Sequence, residues 1–252
     1  FNFWNKSDFQ VHSGEFSYWC GLDDIGGYSD GWLQFLDSPK IELSGDQVEL
    51  SAWMKWNIED ATSLDEVSEG FIDGWDAINV RISNDDGKNW SILESSNDPY
   101  DFFSGYGWLH NGETPGQSGV SSLASGWSGY SDWHQVKFDL SEYVDQNVII
   151  RFAFGSDPAY STYGTDGTDS NPIPSLTGLF LDDIEISSSN GILFSANAEN
   201  DSNDSMISSG SSWLNWFYGS YGKYCLDNNG NILSVDDESA CVAIDGSWFV
   251  EP

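Results

Sequence analysis

Positive charge is scarce in this sequence, where eight Lys and Arg residues stand against 41 Asp and Glu residues, giving a formal net charge of -33. A chain this acidic repels polyanions over the range at which electrostatic steering acts. DNA, RNA and anionic membrane surfaces are therefore poor candidates for partners. The same excess of carboxylates destabilises a compact state by self-repulsion unless salt or bound cations offset it. We therefore expect bound divalent metal, high-salt surroundings or both.

Cysteine is also rare, with three residues in the chain. No Cys-x-x-Cys pair occurs, which disfavours zinc, iron–sulfur and c-type haem sites. Cys225 and Cys241 flank the turn signal Asn229-Gly230, so a hairpin could bring their sulfur atoms within bonding distance. A disulfide between these two residues and a pair of free thiols remain equal alternatives. Cys20 lies in an aromatic run and is expected to be a buried thiol.

Long apolar runs are missing as well. The best run, residues 148–154, is interrupted by Arg151 and falls far short of the ~20 residues of a membrane-spanning helix. The chain opens at Phe1 without a basic and apolar leader, which fits a mature secreted product or a fragment of a longer protein. We expect an extracellular or cell-surface location without membrane insertion.

Aromatic residues are abundant, at 15% of the chain with 13 Trp, and they supply enough burial for a folded core. Apolar residues alternate with period two, as in Leu50, Ala52, Met54 and Trp56, whereas no helical period is sustained. Alternating runs fall near residues 9–20, 31–43, 47–57, 76–83, 89–94, 133–140, 147–154 and 178–187. About eight such strands predict an all-β fold, a two-sheet antiparallel jelly-roll β-sandwich.

The composition changes near residue 190, where the chain becomes rich in Ser, Asn, Asp and Gly. We therefore assign residues 1–190 to the sandwich and residues 191–252 to a linker followed by a small β-rich appendage. The last 40 or so residues are few for an independent domain. They either pack on the sandwich or form part of a second module.

Asp182 is the most informative acidic residue. If Phe180, Ile184 and Ile186 face the core, strand alternation turns Asp182 toward the core too. An unpaired carboxylate there would be costly, and with few basic residues in the chain a hard cation such as calcium is the expected partner. The alternative is a bulge that turns Asp182 to solvent. The glycine-rich loop 21–30 offers further oxygens, so the predicted metal ligands are Asp182, Asp183, Asp23, Asp24 and Asp30.

Several short motifs together resemble a known family. They include Ser17-Tyr18-Trp19-Cys20-Gly21, Gly74-Trp75-Asp76 followed by Asp86-Gly87 and Trp90, and Leu181-Asp182-Asp183-Ile184. Their order over residues 15–187 is similar to that in the jelly-roll modules that accompany secreted immune inhibitor A-like (M6) peptidases. These modules are themselves similar to MAM domains. The resemblance implies a calcium-containing extracellular accessory domain in which Asp182, the first Asp of the last motif, is a calcium ligand.

Catalytic signatures are missing. The sequence has no His-Glu-x-x-His zinc helix and no Gly-x-Ser-x-Gly nucleophile elbow, and only three His residues. We therefore expect no enzyme activity. A pair of glycosidase carboxylates has no fixed spacing in sequence and stays open as an alternative.

Aromatic residues in a Gly- and Ser-rich setting, which are Tyr106, Trp108, Trp127 and Tyr130, could stack on sugars or on a protein partner. Alternatively, they pack against the sandwich and anchor a long loop. The leading hypothesis is a non-catalytic, calcium-stabilised binding or adhesion module for a glycan or surface partner. The other is a structural subunit of an extracellular filament or surface assembly that associates with its own copies through its C-terminal segment by strand addition.

Overall fold

The structure is a computed structural model that describes residues 4–23, 25–61, 74–102, 125–157, 160–162, 176–199, 206–212, 223–226, 232–233 and 247–250. Its regular elements are fifteen β-strands and one short 3-10 helix, Ser141–Tyr143. The described part of the chain contains no helix with the length and apolarity to span a bilayer.

The strands are numbered in chain order. They are β1 (Trp4–Ser7), β2 (Ser17–Cys20), β3 (Trp32–Asp37), β4 (Ile41–Glu42), β5 (Glu49–Asn57), β6 (Ala77–Ser83), β7 (Ser91–Ile92), β8 (Tyr130–Asp139), β9 (Asn147–Gly155), β10 (Gly178–Ser188), β11 (Gly191–Ala196), β12 (Ile207–Ser212), β13 (Lys223–Leu226), β14 (Ile232–Leu233) and β15 (Ser247–Val250).

Two six-stranded sheets form the sandwich. The first sheet has the order β1-β2-β10-β5-β8, with β11 also paired to β10, and the second has the order β12-β3-β9-β6-β7, with β4 paired to β9. Within them, β2-β10-β5-β8 faces β3-β9-β6-β7, and the chain crosses between sheets in the pattern of two Greek keys that defines a jelly roll. The predicted all-β, two-sheet antiparallel jelly-roll sandwich is confirmed.

The period-two pattern explains how the sheets meet. In β5 every second residue is buried, and these residues include Leu50, Ala52 and Met54, all fully covered. Strand β9 contributes Val148, Ile150, Phe152 and Phe154 in the same way from the second sheet. The two apolar faces pack against each other as one continuous core, and this burial is the main stabilising contribution to a sandwich of this kind.

The chain forms two compact units, residues 1–211 and residues 212–252. The first unit extends beyond the predicted boundary near residue 190, because β11 pairs with β10 and β12 lies at the edge of the second sheet. The second unit contains the small sheet β14-β13-β15. In it β13 pairs antiparallel with β14, with Cys225 opposite Leu233, and the predicted Asn229-Gly230 turn lies outside the described residues. The predicted disulfide involves Cys241, which lies outside the described residues.

Candidate metal centre

A β-bulge in β10 changes the environment predicted for Asp182. The register of β10 against β5 shifts between Asp182 and Glu185, and Asp183 has a φ of 43°. Before the bulge Leu179 and Leu181 face the sandwich core, and after it Ile184 and Ile186 do. The prediction that alternation turns Phe180 and Asp182 into that core is therefore wrong, because a bulge exchanges the two faces of a strand.

Asp182 is nevertheless fully buried. Its Oδ2 accepts hydrogen bonds from the backbone N–H groups of His12 (3.1 Å) and Ser13 (3.0 Å), and its Oδ1 accepts the N–H of Asp183 (2.8 Å). The segment that follows β1 thus covers this carboxylate. Burial is the main cause that raises the pKa of Asp182. The three N–H groups lower this pKa by smaller amounts, and the charge of Asp183 raises it by a smaller amount. The hydrogen-bond partners described for this carboxylate are therefore backbone N–H groups and not the Arg side chain or solvent that the alternatives would give.

His12 completes this cluster, since its Nδ1 lies 3.1 Å from Asp183 Oδ2 and its ring stacks on Trp53 at 3.7 Å between centroids. One ligand-type atom from each of His12, Asp182 and Asp183 falls within 4.8 Å of the others. The three N–H groups that Asp182 accepts already compensate much of its charge. This arrangement is therefore better suited to holding the covering segment than to binding a metal.

The predicted co-ligands from loop 21–30 do not gather around Asp182. Cys20, the last residue before this loop, pairs with Leu179 of β10. Asp182 lies three residues further along β10, ~10 Å from Leu179 at the rise of a strand. Because the two strands are antiparallel, the loop leaves Cys20 in the direction away from Asp182. Asp23 is exposed in a tight turn closed by the Leu22–Gly27 bridge. Asp24 lies outside the described residues. Asp30 is buried at 3% exposure and belongs to different surroundings.

A second acidic cluster lies where strands of both sheets end. It consists of Glu59, just after β5, Asp76, just before β6, and Asp157, just after β9. One carboxylate oxygen from each residue lies within 4.8 Å of the other two. Asp76 is fully buried and Asp157 is 6% exposed, whereas Glu59 is half-buried.

Backbone pairing holds these three residues in place. The N–H of Ile58 donates to the carbonyl of Gly129 (2.9 Å), and the N–H of Gly129 donates to the carbonyl of Glu59 (3.2 Å), which continues the β5–β8 ladder. The N–H of Gly31 donates to the carbonyl of Asp157 at 2.7 Å. This last bond places Asp30, the neighbour of Gly31, at the same end of the sandwich.

Asp76 is the most enclosed member of the cluster. Its Oδ1 accepts the N–H of Asp157 at 2.9 Å, and its Oδ2 accepts the hydroxyl of Tyr28 in a short hydrogen bond. Tyr28 itself is fully buried and packs edge-on against Phe154. Burial, and then the charge of Asp157, hold the pKa of Asp76 well above its usual range. The folded protein therefore resists a full negative charge at this position.

Glu59 also lies where burial and neighbouring carboxylates disfavour its charged form. Burial, and then the charges of Asp76, Asp157, Asp30 and Asp60, together raise its pKa from 4.5 to about 10. Its Oε2 is buried and has no hydrogen-bond partner in the part of the chain that the structure describes. Several carboxylates with oxygen-only ligand atoms suit a hard cation, and calcium accepts six to eight such oxygens in flexible geometries.

The aromatic residues predicted to bind a ligand have separate environments. Trp127 is 1% exposed, stacks on Trp56 at 5.4 Å between centroids and donates its Nε1–H to the carbonyl of Asp98 at 3.2 Å. Its predicted role as a ligand platform is therefore corrected to that of a core residue, because no face of its ring is accessible. Tyr130 is 64% exposed and remains available. Tyr106 and Trp108 lie outside the described residues.

A Ser-His-Asp contact chain occurs beside β8 without any sequence signature. His134 Nδ1 lies 3.1 Å from Ser131 Oγ, and its Nε2 lies 2.9 Å from Asp98 Oδ2. Nδ1 also lies 2.9 Å from the carbonyl oxygen of Asp132. Nδ1 therefore lies beside a hydroxyl and a carbonyl oxygen, and Nε2 faces a carboxylate.

No protein-family model and no curated protein sequence matches the chain.

Glu59, Asp76 and Asp157 were not predicted as ligands, although Asp76 lies in one of the family-like motifs. The signal available in the sequence was positional. Each of the three lies within two residues of a strand end, and the jelly-roll order brings those ends to one side of the sandwich.

Proposed function

We propose that this chain is a calcium-stabilised, non-catalytic binding module of an extracellular or cell-surface protein. The single observation that carries the proposal is the cluster of Glu59, Asp76 and Asp157, whose carboxylate oxygens lie within 4.8 Å of one another at the end of the sandwich. The proposal keeps the predicted cofactor and moves its site from Asp182 to this cluster.

The electrostatics of the cluster favour a bound cation. Carboxylates this close cannot all be ionised unless protons or a positive ion compensate them. The charges acting most strongly on Glu59 are all negative, from Asp76, Asp157, Asp30 and Asp60. A divalent ion removes this repulsion at neutral pH without protonating the carboxyl groups. Extracellular calcium modules work at millimolar to submillimolar dissociation constants, and we expect an affinity in this range here.

The position of the cluster explains why calcium would stabilise the whole sandwich. Glu59 continues a strand of the first sheet, while Asp76 and Asp157 flank strands of the second. A cation that binds all three therefore crosslinks the two sheets at one end. Anything that binds the folded state and not the unfolded chain stabilises the fold by mass action.

The binding role has weaker but specific support. The motif order resembles that of the jelly-roll accessory modules of secreted M6 peptidases, and Tyr130 presents an exposed ring on the first strand residue of β8. Exposed aromatic rings are common contacts for sugars and for protein partners. The net charge of -33 disfavours nucleic acid, so a glycan or a protein at the cell surface is the partner class that we propose.

Terbium luminescence tests the metal site directly. Tb³⁺ replaces calcium at oxygen sites and emits when a nearby aromatic ring is excited, and Tyr28 donates its hydroxyl to Asp76 within the cluster. Metal-free protein should give Tb³⁺ emission that excess CaCl₂ suppresses. Asp76→Asn should abolish this emission. Asp86→Asn, an exposed aspartate in the β6–β7 turn that pairs with Lys40, is the matched control and should keep it. Equal emission from both variants would refute the site.

A further inference from the structure

Strand β11 forms an unprotected stretch of edge on the first sheet. Its register along β10 runs from Ile184 opposite Ala196 to Ser188 opposite Gly191. Among the described residues, β10 is its only hydrogen-bonded neighbour. The backbone groups on the other side of β11 are thus available for pairing with a further strand.

The side chains of this edge are unusual for so acidic a chain. Residues 186–198 contain no charged residue and no Pro. Ile192 is 64% exposed, and its neighbours Leu193 and Phe194 are half-buried. Natural edge strands usually carry charges or Pro that prevent pairing with another chain, and β11 has neither.

The opposite edge of the same sheet is blocked. Segment 95–98 runs along β8, where the N–H of Ser96 donates to the carbonyl of Lys137 at 2.8 Å. The side chain of Asn97 accepts the N–H of Lys137 (2.9 Å) and donates to the carbonyl of Gln135 (2.8 Å). Within the described residues, the chain therefore covers this edge of the sheet and leaves β11 open.

We propose that β11 pairs antiparallel with β11 of a second copy of this chain, so that the first sheets of two sandwiches join into one. Two copies that each carry a formal charge of -33 repel each other wherever carboxylates meet. Pairing through β11 places no carboxylate of one β11 strand opposite a carboxylate of the other. Antiparallel pairing of identical strands is also self-complementary about a two-fold axis, the commonest symmetry of homodimers.

A bulge in β11 limits the strength that we expect for this dimer. The β10–β11 register shifts between Ile186 and Ser187, which leaves Leu193 as an extra residue in β11. A bulge shortens the regular stretch that a new strand can pair with. We therefore expect a micromolar rather than a nanomolar dissociation constant, strengthened by salt because screening weakens the repulsion between the copies. This inference does not depend on the calcium site.

Sedimentation velocity over a range of protein concentrations tests the dimer with two matched variants. Ile192→Lys places a charge on the proposed interface, and Ile207→Lys places one on β12, another edge strand, where Ile207 is 59% exposed. We expect wild type and Ile207→Lys to dimerise, more so in about 1 M NaCl, where the Debye length is ~3 Å. Ile192→Lys should dimerise at least tenfold more weakly, since it replaces an apolar side chain of the proposed interface with a charged one.

Amide hydrogen exchange of residues 191–196 gives a second measurement. Exchange in this segment should slow as the protein concentration rises. A chain that stays monomeric, a dimer that Ile192→Lys leaves intact, or one that only Ile207→Lys disrupts would overturn the proposal. Strong protection of residues 191–196 in the monomer would overturn it as well, because it would show that another segment of the same chain covers the edge.

Discussion

The substitution Glu59→Gln should reduce the pH dependence of stability in the metal-free protein. The pKa of Glu59 in the folded state, about 10, lies above its ordinary value of 4.5, so folding takes up a proton at every pH between these values. Its contribution to stability is therefore fully present below pH 4.5 and is lost as the pH rises toward 10. Exposed carboxylates have finished titrating by about pH 6, so they add little pH dependence above that pH.

The size of the effect follows from proton linkage. One proton held by the folded state and not by the unfolded chain costs about 1.4 kcal/mol per pH unit, or about 3 kcal/mol from pH 6 to pH 8. Glu59 is half-buried, and water screens part of the repulsion, so we expect about half of this, ~1–2 kcal/mol. In a domain of this size that equals about 3–6 °C in Tm.

Differential scanning calorimetry in EDTA at several pH values provides the measurement. The Tm of the wild type should fall between pH 6 and pH 8, and that of Glu59→Gln should fall by about 3–6 °C less. Glu142→Gln, an exposed glutamate in the 3-10 helix, is the control and should follow the wild type. Saturating calcium should flatten the wild-type curve. Parallel curves for Glu59→Gln and wild type in EDTA would refute the electrostatic reasoning.

Three further predictions concern other residues. Asp182→Ala leaves three buried N–H groups without an acceptor and should lower the free energy of unfolding by about 2–4 kcal/mol in urea, equally with calcium and with EDTA; a loss confined to the calcium-loaded protein would place the metal there instead. Trp127→Ala should cost about 3–5 kcal/mol in the same assay, whereas Tyr130→Ala should change stability by less than about 0.5 kcal/mol and weaken binding on glycan or surface-protein arrays; the reverse order would contradict their assignment to core and surface. Ser131→Ala should leave any background ester hydrolysis unchanged, and a loss of turnover would mean that the Ser-His-Asp contact chain is catalytic.

Local patterning was sufficient to predict the architecture. The alternation in β5 and β9 identifies strands and their buried faces, because a strand with one buried face must alternate. Eight such strands with little helical signal leave few architectures, and the jelly roll is one of them. The error at Phe180 arose from the bulge at Asp182 and Asp183, which a strict period of two cannot anticipate.

The candidate metal site was predictable in chemistry but not in location. The excess of carboxylates pointed to a cation, yet acidic residues are so common in this chain that spacing alone could not select among them. Glu59, Asp76 and Asp157 are far apart in sequence and meet only through the order of β5, β6 and β9 in the two sheets. Asp30 was predicted to be a co-ligand of Asp182, whereas in the structure its charge acts on Glu59.

The most direct test is an anomalous diffraction measurement on crystals grown with calcium. We expect a single strong peak between Glu59, Asp76 and Asp157, with six to eight oxygen ligands at ~2.3–2.6 Å. Occupancy should disappear in crystals of Asp76→Asn. No peak at this position under saturating calcium, or a peak beside Asp182 instead, would refute the proposed calcium site.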